Sequence, residues 1–113
     1  SLFGVILLKW IKEEAAIYAM CQLEAPRVVT KLISEINFVS SGKLGDIVEM
    51  GMTAAEFGRT SITLKCEVRN KITKKAILTI DKMVFVNVNE RSEPIPHGKT
   101  KIRKMDEKLQ SLD

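Results

Sequence analysis

The feature that most restricts this chain is the stretch from Phe3 to Leu23, which reads as a helix with almost no polar side. Val5, Leu8, Ile11, Ala15, Tyr18 and Cys21 recur three or four apart, the spacing of one helix face. Ile6, Leu7, Trp10, Ile17 and Met20 then widen that arc until only a stripe through Lys9, Lys12, Glu13 and Glu14 stays polar. Lys9 and Glu13 are one turn apart, so the plainest reading of the stripe is a solvated, ion-paired edge. A helix this apolar has to be covered on most of its sides. Ala15, Ala16 and Ala19 would let a sheet come close, and Glu24-Ala25-Pro26 ends the helix, because the residue before proline is pushed out of the helical region.

Beyond Pro26 the chain has the spacing of strands. Residues 28–39 are rich in Val, Ile and Thr; Gly42 to Asp46 reads as a turn; Ile47 to Ala55 resumes a strand, and Phe57-Gly58-Arg59 breaks it. Residues 62–69 alternate strictly, with Ile62, Leu64, Cys66 and Val68 on one face and Thr63, Lys65, Glu67 and Arg69 on the other. Asn70 to Lys74 is a polar connection. Residues 76–89 form the longest strand, with Leu78, Ile80, Val84, Val86 and Val88 on one face, Met83 and Phe85 on the other, and Lys82 interrupting. Pro94-Ile95-Pro96 ends regular structure, and His97, the one histidine, reads as a surface residue. One long apolar helix and about four strands make an α+β chain whose sheet must curl around the helix.

At 113 residues the chain is one domain, and 45% hydrophobic against 28% charged residues makes it a folded one. Aromatic residues are too few to supply stacking platforms for single-stranded nucleic acid. A net charge of +4 suits an anionic small ligand without requiring a polyanion, so no nucleic acid is expected as a partner. Cys21 and Cys66 lack metal or redox spacing and sit in apolar runs, which suits buried thiols in a reducing cytoplasm. One histidine and two distant cysteines build no metal site. No apolar run approaches the ~18 residues that span a bilayer, and no secretory leader pattern is visible.

Several segments, in order, resemble hotdog-fold acyl-CoA thioesterases of the bacterial cytoplasmic branch. Ser1-Leu2-Phe3-Gly4 leads into Leu7-Leu8-Lys9-Trp10-Ile11 and Glu13-Glu14-Ala15-Ala16-Ile17. Arg27-Val28-Val29-Thr30, Ile36-Asn37-Phe38, Gly45-Asp46-Ile47-Val48-Glu49 and Phe57-Gly58-Arg59-Thr60-Ser61 come next, and Phe85-Val86-Asn87-Val88-Asn89 with Pro94-Ile95-Pro96-His97 closes the series. The likeness covers residues 1–98, leaving 99–113 as a charged tail. It implies an antiparallel sheet wrapped around the helix, homodimers with edge-paired sheets that assemble as trimers of dimers, and an active site at the interface near the helix start. The implied reaction is hydrolysis of an acyl-CoA to a free acid and coenzyme A, with no cofactor beyond the CoA of the substrate.

Thioester hydrolysis needs an activated water and donors for the carbonyl oxygen as it gains charge. The resemblance assigns the donors to the helix start, at Gly4 and Val5, where the family has a second glycine in place of Val5. It assigns the water-activating carboxylate to the position held here by Lys12. An ammonium cannot accept a proton at neutral pH, and neighbouring Glu13 points about 100° away around the helix. Three readings compete at Lys12: a natural homologue that binds CoA esters without efficient turnover, a site altered by design, and a lysine base or phosphate ligand. Arg59, with the hydroxyls of Thr60 and Ser61, is the leading candidate for CoA contact. Lys43 is a second candidate, and Asp46 reads as the organiser of its turn.

Overall fold

The computed structural model describes residues 1–103. Its first element, α1 (Leu2–Leu23), starts at Ser1, whose hydroxyl accepts the Gly4 N–H at 3.2 Å. The helix ends at Glu24, which adopts a left-handed conformation (φ 51°), while the Glu24 and Ala25 N–H groups donate to the carbonyls of Cys21 and Met20. Pro26 then blocks continuation.

Five strands complete the chain: β1 (Val28–Ile33), β2 (Ile36–Phe38), β3 (Val48–Phe57), β4 (Ser61–Asn70) and β5 (Ala76–Asn87). The sheet runs β1-β5-β4-β3, with β2 also on β5, and every pairing is antiparallel. The single strand expected over 28–39 is therefore two. Ser34 divides them: its N–H donates to Lys82 O at 2.8 Å and its hydroxyl accepts the Lys82 N–H at 3.0 Å, a local side-chain bond that competes with the ladder. The α+β antiparallel sheet packed on one long helix is the architecture expected.

The helix lies against one face of the sheet, where Ile11, Ala15 and Ala19 are buried with Ile62, Leu64, Val68, Leu78 and Ile80. Alanines at the contact let the strands approach closely. The alternation read in β4 holds, since Ile62, Leu64, Cys66 and Val68 all belong to this core.

The parity expected along β5 does not hold. Leu64 pairs with Met83 while Cys66 pairs with Ile80, so β5 carries one more residue than β4 across this interval. That bulge, at Asp81-Lys82, reverses which side chains face inward. Leu78 and Ile80 face the helix before it, and Met83 and Phe85 face the helix after it, whereas Val84 falls on the opposite side.

Coverage of α1 also differs from expectation. The sheet reaches around only one side, leaving Leu2, Val5, Ile6 and Ile17 exposed, with Val5 66% open. Val29 and Leu32 on the edge strand β1 are exposed as well. Lys9 and Glu13 are both exposed but form no ion pair with each other. Charged and apolar side chains thus share one open helix face in the single chain.

Past residue 98 the chain stays in contact with the helix. Gln22, fully buried, donates from Nε2 to Arg103 O at 3.1 Å and accepts the Arg103 N–H at 2.8 Å, while the Arg103 guanidinium donates to Cys21 O. Residues 104–113, the rest of the charged tail, lie outside the described residues. Gln22→Ala removes both backbone bonds, each worth ~0.5–1.5 kcal/mol, so a loss of roughly 1–3 kcal/mol is expected from urea unfolding; an unchanged midpoint would show that the segment is not anchored.

Candidate active site

The N-terminus of α1 opens onto a cleft of about 490 Å³ lined by Phe3, Gly4, Phe38, Val39 and Ile77, with Ser1 and the Ser40-Ser41-Gly42 segment at its rim. At Gly42 a Cβ would lie 2.5 Å from the tip of the Phe3 ring, so a larger residue there would push that ring out of its present place beneath the segment. The first turn of α1 carries no acid, leaving the positive end of the helix dipole uncompensated.

The Gly4 and Val5 amides, the expected oxyanion donors, both have partners within the single chain. The Gly4 N–H is taken by the Ser1 hydroxyl, and the Val5 N–H donates to Ser1 O at 3.1 Å. The N–H groups of Leu2 and Phe3 carry no hydrogen bond among the described residues.

Lys12 lies seven residues from Val5, two turns along the same stripe, and is exposed, as is Glu13. No carboxylate lines the cleft among the described residues. Lys43 belongs to this end of the molecule: its N–H donates to Asp46 Oδ2 at 3.1 Å and its carbonyl accepts the Asp46 N–H, so Asp46 does organise the turn.

Arg59, Thr60 and Ser61 lie at the opposite end. Ser61 pairs with Val86, the Asn87 N–H donates to Thr60 O, and the His97 N–H donates to Arg59 O, all beside the closing turn of α1. The helix of 22 residues separates the two groups by roughly 33 Å within one chain. Strand direction could have revealed this, because β3 leaves the helix start and delivers Gly58-Arg59 to the helix end. His97, expected on the surface, is half-buried: Nε2 lies 2.8 Å from Ser61 O, Nδ1 accepts the Lys99 N–H, and the ring meets Phe57 edge-on. It holds this turn in place.

The two cysteines are free, and burial beside Glu67 pushes the Cys66 thiol up to about 12, which removes it as a nucleophile at neutral pH. Among the described residues no group of three or more His, Cys, Asp or Glu stands close enough to hold a metal ion. No described helix is long and apolar enough to cross a membrane.

Residues 1–77 match the model of the thioesterase superfamily. The chain belongs to that superfamily. Among solved structures, an apo-hexameric acyl-CoA thioesterase is 30% identical and superposes with a TM-score of 0.73, covering 94% of this chain and 68% of its own. A hexameric thioesterase from Yersinia pestis is 28% identical with a TM-score of 0.74, over 85% of this chain and 81% of its own. An acyl-CoA hydrolase from Staphylococcus aureus, solved with butyryl coenzyme A, coenzyme A and coenzyme A disulfide, is 26% identical with a TM-score of 0.70, over 82% of this chain and 58% of its own. No curated protein matches the chain. This thioesterase-superfamily chain therefore has the hotdog fold that the resemblance implied.

Proposed function

We propose that the chain acts on acyl-CoA thioesters, converting them with water to a free acid and CoA at a site completed by a second copy. The observation that carries this reading is the start of α1 in a thioesterase-superfamily fold, which opens at Phe3 and Gly4 onto a cleft lined by Phe38, Val39 and Ile77 with serines at its rim. A thioester carbonyl at that helix start would meet backbone amides and the positive end of the helix dipole, and one such donor is typically worth ~10²–10³ in rate. Phe38 and Val39 offer apolar surface to the acyl chain or the pantetheine stem. No cofactor is needed beyond the CoA of the substrate, and the setting is the cytoplasm, where both thiols stay reduced.

A second copy answers two features of the single chain. It would cover the exposed α1 face and pair the β1 edges, burying Leu2, Val5, Ile6, Val29 and Leu32. Antiparallel pairing would also bring the Arg59-Thr60-Ser61 turn of one copy to the α1 start of the other. Dimers then assemble as trimers of dimers, as suits a chain whose relatives include hexameric thioesterases.

One observation favours a second reading, in which the protein binds CoA esters as an oligomeric scaffold without turning them over: no carboxylate lines the cleft, and an ammonium stands at Lys12. Thiol release measured over a panel of acyl-CoAs, beside light scattering, tests both. Turnover by a dimer or larger multiple supports the hydrolase, and CoA binding with no release supports the scaffold. A monomer with no affinity for CoA sinks both.

A further inference from the structure

The cleft beside α1 is open at one end and closed at the other. Phe38 and Val39, 61% and 60% exposed, stand at its mouth, whereas Ile77, 2% exposed, lies deep within it. Three residues meet at the closed end. A Cβ on Gly42 would lie 2.5 Å and 2.6 Å from two atoms of the Phe3 ring tip and 3.4 Å from an Ile77 methyl. The ring, the methyl and the Gly42 backbone therefore converge on one point. Phe3 is half-buried and packs against the helix-facing core, which holds its ring there.

The wall opposite Phe3 is pinned along its length. The Val39 and Ser40 N–H groups both donate to Ile77 O, at 2.7 Å and 3.3 Å, and the Ser40 hydroxyl donates to Ala76 O at 2.6 Å. Beyond Gly42, the Lys43 N–H donates to the Asp46 carboxylate, and the Lys71 N–H donates to Ile47 O at 2.8 Å. Glu49, its side chain 3% exposed, is then held by Arg69 and Lys74, which fixes the start of β3 as well. Phe3, carried on the first turn of α1 and outside the sheet, is the part of the closed end that a substitution can shorten without disturbing the ladder.

The cleft is also small. A water-sized group takes ~30 Å³, so about 490 Å³ holds roughly sixteen such groups. The thioester and the inner end of the pantetheine arm take about half of them, which leaves room for an acyl chain of about eight carbons or fewer.

We propose that Phe3 is the stop that sets acyl-chain length, its ring closing the cleft so that the protein takes short-chain acyl-CoA thioesters and discriminates against long ones. This inference rests on the proposed function. Each methylene that an apolar pocket accommodates is worth about tenfold in selectivity, so a chain that overruns the stop forfeits that gain and strains the pinned wall.

The test uses S-butyl-CoA and S-dodecyl-CoA, thioethers that carry an alkyl chain on CoA but cannot be hydrolysed, so the readout is independent of turnover. Calorimetry on the full chain is expected to show S-butyl-CoA bound about tenfold or more tightly than S-dodecyl-CoA. Phe3→Ala, which empties the closed end, is expected to cut that ratio about tenfold or more by tightening the dodecyl ligand. Phe3→Leu keeps an apolar side chain against the core and loses only the ring tip, and its ratio is expected to fall between the other two. Circular dichroism verifies the fold of each variant, and the leucine variant carries the comparison if the alanine variant does not fold. The proposal is overturned if wild type binds the two thioethers equally or prefers the longer, or if the folded variants keep the wild-type ratio. Wild-type protein that binds neither thioether nor CoA would instead defeat the functional reading itself.

Discussion

Lys12→Asp is expected to raise kcat/KM for acyl-CoA hydrolysis by ~10²–10⁴, the range that a positioned general base contributes. Val5 and Lys12 share one stripe of α1, so a side chain at residue 12 stands on the same side as the open start of the helix, and in the proposed pair it would face the shared cleft. An ammonium there has no lone pair to take a proton from water, whereas an aspartate does. Among the described residues no other carboxylate lines the cleft to substitute for it. The change is on an exposed helical position, so stability should move by no more than about 0.5 kcal/mol. Thiol release by the variant beside the unaltered chain decides the matter: equal rates would mean that residue 12 lies outside the reacting centre.

Phe85→Ala is expected to destabilise the fold by about 3–5 kcal/mol, the usual cost of emptying a buried aromatic site. Val84→Ala, next to it, should cost well under half as much. Phe85 is 1% exposed and packs in the helix-facing core, while Val84 lies on the other side of β5 and is only partly buried. Chemical unfolding of the two variants reads out the parity of the strand directly. If Val84→Ala proved the more damaging, the bulge at Asp81-Lys82 would be misplaced and the alternation read from the sequence would stand.

That pair of substitutions marks where the sequence was legible and where it was not. The helix from Phe3 to Leu23 and the strand around Ile62–Val68 were plain because long, unbroken periodicities leave one solution. Strand β5 was misread because a bulge shifts the alternation by one residue, and Lys82, the sign of it, looked like a simple interruption. Residues 28–39 divided because Ser34 bonds to the backbone opposite, a pairing between residues 48 apart that no local pattern announces.

The site was legible in part. The candidate residues came from resemblance, but their placement depends on which end of the sheet each turn occupies. Lys43 lies with the helix start, whereas Arg59, Thr60 and Ser61 lie with the helix end. Ser1 accepts from both the Gly4 and the Val5 amides, a capping contact that no spacing pattern announces. The Glu49 network was missed because a carboxylate at the outward-facing start of a strand looks solvent-exposed; only the three-dimensional approach of Arg69 and Lys74 buries it.

The helix-length gap between the cleft at Phe3 and Gly4 and the Arg59 turn has a genetic consequence under the two-copy arrangement. Each complete centre would draw on both chains, so a damaged copy paired with a sound one would spoil one centre and leave the other intact. Two differently damaged copies, one altered near the helix start and the other at Arg59, would on mixing concentrate both lesions in one centre and restore the other. Recovery of up to half the normal output from two inactive parents would be the signature of that sharing.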